Sequence, residues 1–179
     1  MNPILERLQS DIAGSVNDLS AGQTQLRPVG GPDKWTIQQI VQHLCLSYAS
    51  TETAVRNRLD KGRPTQSVPT VPQRCLQCLI TDLGCFPPGR EAPAVVVPPK
   101  APGSSEDQIS GDALRNEAAL RLADMDKRLD EAESAFGKRR VVSHAILGPL
   151  SIAQWRRFHR THGLHHVKQI WAIRRQHGV

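Results

Sequence analysis

The sequence predicts an all-α protein, a four-helix bundle with a long proline-rich crossover between the second and third long helices. Three observations lead there. Four segments carry helical periodicity, nine of the 13 prolines fall between Pro64 and Pro102, and the length is 179 residues. That length suits one domain with a real core and is short for two. The expected domain is therefore 1-179, with 61-110 as a proline-rich crossover holding one short helix. Short loops make antiparallel neighbours, whereas one long connection permits a departure from simple up-and-down order.

The first helix opens with Asn2 as N-cap and Pro3 at the first helical position. Ile4, Leu5, Leu8, Ile12, Val16 and Leu19 form its apolar stripe, and the expected end is near Ser20 to Gly22. The second begins at Thr36, where Gln39 three residues on makes a capping box, and runs to about Asp60. Its core stripe is Ile37, Val41, Leu44, Tyr48, Val55 and Leu59. Within the crossover, Cys75 to Leu83 suits a helix of two or three turns, and flanking prolines are expected to hold Ala94 to Val97 extended. The third long helix starts around Ser110 to Asp112, carries Leu114, Ala118, Leu122, Met125 and Leu129, and stops at Gly137. The fourth follows Gly148 and Pro149. Ser151 and Gln154 repeat the capping box, and no proline interrupts the chain before His177.

Composition excludes several classes. At 39% hydrophobic and 22% charged the chain reads as soluble and globular, and 4% aromatic content is too little for stacking platforms on single-stranded nucleic acid. No window approaches the ~18 apolar residues of a membrane span, and Met1 to Ser10 lacks the pattern of an export signal. The expected location is the cytoplasm, with Cys45, Cys75, Cys78 and Cys85 as reduced thiols. The charge is lopsided. Ser134 to Val179 holds nine basic residues and no acid, so it carries +9 against −3 for the rest.

Five of the seven histidines lie after residue 158. On a helix, Ile152, Trp155, His159, His162, His166, Ile170 and Ile173 fall within an arc of roughly 60°, a face that normally holds Leu or Ile. The basic residues Arg156, Arg157, Arg160, Lys168, Arg174 and Arg175 project on the other side, as a solvated face would. Imidazoles at i and i+4, here His162 and His166, can present two nitrogens to one divalent ion. The best third donor is His43, at the edge of the second helix's apolar stripe beside Ser47. His159 is kept as a reserve ligand or pocket wall. Unpaired histidines in a core incur desolvation that a metal offsets. Three neutral imidazoles leave the coordination shell open, which is the catalytic pattern. His144 reads as a loop or helix-end residue, His165 and His177 as surface histidines, and Trp35 and Trp155 as packing residues at helix starts, with pocket lining as their alternative role.

Three segments carry a resemblance. Lys34-Trp35-Thr36 followed by Ile40-Val41-Gln42-His43-Leu44, then His144 through Ser151, then His162-Gly163-Leu164-His165-His166-Val167-Lys168-Gln169-Ile170, resemble the DinB/YfiT-like superfamily. The resemblance implies a four-helix bundle of unusual connectivity with a three-histidine site for zinc, nickel or a similar ion, often in a homodimer. The histidine closing the tryptophan-led helix start falls on His43. The two histidines four apart before the Gln-Ile ending fall on His162 and His166. Family members of known activity include thiol-dependent transferases and isomerases using bacillithiol, mycothiol or glutathione. The implied partners are therefore a small-molecule electrophile and a low-molecular-weight thiol, although family membership does not fix the chemistry.

Three functional readings stand at this level. One is a metal-dependent enzyme that activates a thiol or water, of thiol S-transferase or hydrolase type. Another is a non-catalytic bundle fastened by its ion. The third is a nucleic-acid-binding protein using the basic C-terminal face, against which stands the absence of any helix-turn-helix turn, RNP-like motif or zinc-finger spacing. Cys75 and Cys78 form a C-x-x-C without a second pair or a βαβ context, which reads as chance placement on a short apolar helix.

Overall fold

The computed structural model describes residues 1–87, 92–100 and 104–179, so Pro88 and Pro102 of the crossover lie outside the described residues. The chain is mostly helical. Four long helices, α1 (Pro3–Val16), α2 (Ile37–Asp60), α4 (Gly111–Phe136) and α5 (Ile152–His177), enclose one apolar core, and a shorter α3 (Val71–Gln77) lies between α2 and α4. The helix α2 packs chiefly on α4 and α1 chiefly on α5, with α1 also against α4. No helix among the described residues is long and apolar enough to cross a membrane.

Local signals explain the helix starts. The side chain of Asn2 accepts from the Ile4 amide, and Thr36 with Gln39 and Ser151 with Gln154 form complete capping boxes. Ser110 caps α4, and Gly137 ends it at φ +63°. The stripes bury as the periodicity requires: Leu5, Leu8, Ile12 and Val16 from α1, Ile37, Val41, Leu44 and Tyr48 from α2, and Leu114, Leu122, Met125 and Leu129 from α4. Helix α5 comes close to α1 at Gly163, where a Cβ would stand 2.5 Å from a Leu8 methyl.

Several expectations need correction. The helix α1 stops at Val16, because Asp18 adopts a left-handed φ of 59° and Ser20 instead exchanges hydrogen bonds with Gln23 to start a separate 3-10 turn, Gln23–Gln25. The crossover helix starts earlier than Cys75. Thr70 and Gln73 form a capping box with Pro72 in the first turn, and after Gln77 the helix widens into a π-helical turn, Cys78–Asp82. Ala94–Val96 is a 3-10 turn, whereas only Val97, next to Pro98, is extended. The restriction before proline acts on a single residue.

The sequence also hid a small sheet. Antiparallel strands β1 (Arg140–His144) and β2 (Gly148–Ser151) form a hairpin with an irregularity near Val141, so the fold is not purely helical. His144, expected in a loop or at a helix end, closes β1. Gln77 of α3 donates to the carbonyls of Leu147 (2.7 Å) and Pro149 (3.2 Å), which fastens the hairpin to the crossover.

The basic face of α5 is not uniformly solvated. Arg156 is buried and reaches α4, where Nε lies 3.0 Å from Asp126, Nη1 lies 2.6 Å from Glu133, and Nη2 pairs with Asp130. Asp126 is buried too and accepts the Asn2 amide at 2.7 Å. Arg174 donates to the carbonyls of Ser15 and Asn17, capping the C-terminal end of α1. Removing one member of a buried pair leaves an uncompensated charge. Arg156→Ala is therefore expected to cost about 3–5 kcal/mol in denaturant unfolding. Arg157→Ala, which loses an exposed partner in Asp82, is expected to cost under about 1 kcal/mol.

Candidate metal centre

Two helices and the crossover build the site. His43 lies two turns into α2, where the capping box at Thr36 fixes the entry of the helix, and His162 and His166 lie one turn apart on α5. All three are buried. The Nε2 of His162 stands 3.1 Å from that of His43 and 3.0 Å from that of His166, and one ligand atom from each lies within 4.8 Å of the others. Among the described residues, no carboxylate or thiol belongs to this cluster.

The second nitrogen of each ring sets what the first can do. His43 Nδ1 donates to the Val96 carbonyl at 2.7 Å, and His166 Nδ1 donates to Gln169 Oε1 at 2.8 Å. A carbonyl oxygen accepts only, so both rings carry their proton on Nδ1 and turn a bare Nε2 lone pair toward His162. His162 Nε2 with a proton satisfies one of those lone pairs and leaves the other facing it. His162 Nδ1 is itself buried without a partner. Either tautomer leaves a buried nitrogen unmet, whereas a cation at the point of convergence satisfies all three. Three nitrogens around zinc at ~2.0–2.1 Å stand about 3.3 Å apart, close to the two separations of 3.1 and 3.0 Å that His162 makes. The donor set thus fits a divalent ion of the borderline-soft kind that imidazole suits.

Burial keeps these rings neutral. Desolvation lowers the pKa of His43 against the opposing pull of the Val96 carbonyl, and lowers that of His162 well below the ordinary value. His166 falls to about 3, from burial first and then from the neighbouring His43, with the Gln169 bond working the other way. Neutral imidazole is the metal-binding form.

The histidines open onto a cavity of about 770 Å³. Trp35 packs on His43 at 4.9 Å between ring centroids, and Phe158 stacks on His162 at 5.4 Å and 12°. Phe86, from the crossover, covers His162 at 5.2 Å. Trp35 and Trp155, expected as packing residues, also line this space, and His165, expected at the surface, is a half-buried part of its wall against Phe86. His159 is seated elsewhere. Fully buried, its Nε2 meets Thr51 Oγ1 at 3.0 Å and its ring packs on Tyr48, outside the three-nitrogen cluster. Cys45 is buried with its thiol pushed up to about 12, by burial foremost, and Cys75 and Cys78 are exposed.

Sequence reasoning missed the supporting shell. Gln169 lies three residues after His166, a helical spacing that could have found it. No pattern announces a backbone carbonyl such as that of Val96, which comes from a chain segment more than fifty positions from His43.

Comparison with known proteins adds one finding. No curated protein and no solved structure matches the chain. A family model described as the DinB superfamily matches residues 4–170, a span that contains all three converging histidines and every long helix but the last turns of α5. With nearly the whole sequence inside that match, the chain belongs to the DinB superfamily.

Proposed function

We propose that His43, His162 and His166 hold a divalent metal ion, zinc or nickel, and that the protein is a metal-dependent enzyme of thiol transferase or hydrolase type acting on a small electrophile in the adjoining cavity. The observation that carries this reading is the pair of Nδ1 bonds, from His43 to Val96 and from His166 to Gln169, which leave two Nε2 lone pairs aimed at the third imidazole. A cavity of about 770 Å³ reaching these rings favours a catalytic ion over a closed structural one. The reading takes 1–179 as one four-helix bundle domain with a long proline-rich crossover, working as a cytoplasmic homodimer with a low-molecular-weight thiol as second partner.

When bound, the ion supplies Lewis acidity that lowers the pKa of a thiol or water to near neutrality. The residues of the chain do the rest. Val96 and Gln169 fix the tautomers of His43 and His166 so that the ligating nitrogens need no rearrangement. Phe86 and Phe158 cover His162 and limit water beside it. Asp33, exposed at the rim, is the one acid among the described residues that line the cavity, so the reading assigns no carboxylate base to the reaction.

Elemental analysis of the purified protein, with the ion's ligands located by anomalous diffraction, is expected to find about one ion per chain on these three histidines. The His43, His162, His166 triple alanine variant is expected to lose it. Full metal content in that variant would refute the assignment. Gln169→Ala, which frees His166 Nδ1, is expected to weaken metal affinity by about 10- to 100-fold in competition with a chelator, whereas Lys168→Ala should not.

Acidity gives a further check on the metal-free protein. Unfolded imidazoles take up protons near pH 6.5, while His159 and His166 do so only at about 3 and His144 at about 4 in the fold. The unfolded state therefore binds more protons between those limits, so stability is fully present above pH 6.5 and is lost as pH falls toward 3. The urea midpoint is expected to drop between pH 7 and pH 5, and a flat profile would contradict the buried neutral rings.

A further inference from the structure

Two histidines of the cavity, His144 and His165, take no part in the three-nitrogen cluster. His144 closes β1, and its Nδ1 receives the backbone N–H groups of Ile146 at 3.1 Å and Leu147 at 3.2 Å. A nitrogen that accepts two N–H groups cannot carry a proton, so the ring proton of neutral His144 sits on Nε2. Burial reinforces the neutral form by lowering the pKa to about 4. The ring packs on Phe158 at 4.7 Å and on Trp155 at 5.6 Å and lines the cavity, and Nε2 has no partner among the described residues. The hairpin thus fixes an N–H donor in the wall of a chamber that Trp35, Phe86, Trp155 and Phe158 also line.

The charge of that chamber narrows what it takes. The charged side chains among its described lining residues are Asp33 and Lys34, both exposed, and the histidines within are held neutral by burial. A space lined by aromatic and aliphatic side chains, with one ring N–H fixed by the hairpin turn, suits an uncharged body carrying an acceptor that this N–H can meet.

We propose that His144 is the hydrogen-bond donor that orients the cavity's ligand, and that this ligand is an uncharged, largely apolar molecule bearing an acceptor such as a carbonyl oxygen. The inference rests on the proposed function only in taking this cavity as the substrate chamber, and it requires no ion.

Two substitutions separate the two ring nitrogens. His144→Asn keeps an acceptor near the Nδ1 position for the turn amides and removes the distal donor. His144→Gln places an N–H near the Nε2 position and gives up the turn. Ligand-observed NMR titrations with acetophenone and with ethylbenzene, its counterpart without the acceptor, are run on the protein as purified and again after chelation. His144→Asn is expected to weaken acetophenone by about 3- to 10-fold while leaving ethylbenzene unchanged, and His144→Gln to retain the wild-type preference. A folded His144→Asn protein that binds both molecules as the wild type does overturns the proposal, as does failure of the wild type to bind either molecule at millimolar concentration. If His144→Asn does not fold, ring-nitrogen NMR of the wild type decides. The Nε2–H signal of His144 should move on adding acetophenone, and an unmoved signal or a proton found on Nδ1 refutes the assignment. Discrimination in a protein that carries no metal as purified and takes up neither added zinc nor added nickel leaves this inference standing while the metal reading falls. Its absence in protein with one ion per chain does the reverse.

Discussion

Three imidazole nitrogens that converge on one buried point cannot all be satisfied by one another, and the fold must hold them there from outside. Much of the structure meets this constraint. Capping boxes at Thr36 and Ser151 set where α2 and α5 begin, and hence which faces His43, His162 and His166 occupy. The contact of Gly163 with Leu8 seats α5 on α1 beside His162. Val96 and Gln169 then take the outer nitrogens. Each element supplies a piece of order that the converging rings do not generate themselves, which is how preorganised ligand sets avoid reorganisation when they bind.

The four long helices were legible because periodicity and capping are local. Asn2-Pro3, Thr36 with Gln39 and Ser151 with Gln154 act over three or four residues, and the structure uses each of them. The His162–His166 pair was legible for the same reason, and His43 through its place at the edge of an apolar stripe. What escaped was non-local or short. The hairpin was masked by Gly148-Pro149 and by strands of five and four residues, too brief for alternation to register. The Thr70–Gln73 capping box lies ahead of the apolar stretch that marked the crossover helix, and Pro72 sits in a first turn, which tolerates proline. The tautomer-fixing carbonyl of Val96 leaves no trace in residue type at all.

The charge asymmetry also takes on a structural meaning. A projection of α5 shows which side each arginine occupies but not what lies beyond it. Arg156 faces α4, where the acidic first part of the chain supplies Asp126, Asp130 and Glu133, and Arg174 faces the end of α1. Part of the basic excess thus joins the C-terminal helix to the rest of the core and is unavailable to an external polyanion. Opposite charges that were far apart in sequence meet across a helix pair, and the buried member of the set, Asp126, also receives the amide of Asn2.

The Val96 contact has an evolutionary corollary. His43 is held by the carbonyl of a 3-10 turn, so the chemistry depends on where the backbone passes and is indifferent to which side chain position 96 bears. Relatives sharing this arrangement are free to drift in sequence, and to lengthen or shorten the connecting segment on either side, provided the turn returns to the same place. Changes to such a segment reshape the chamber wall, through neighbours such as Phe86, while His43 keeps its backbone partner. A single histidine framework can in this way serve many different pockets.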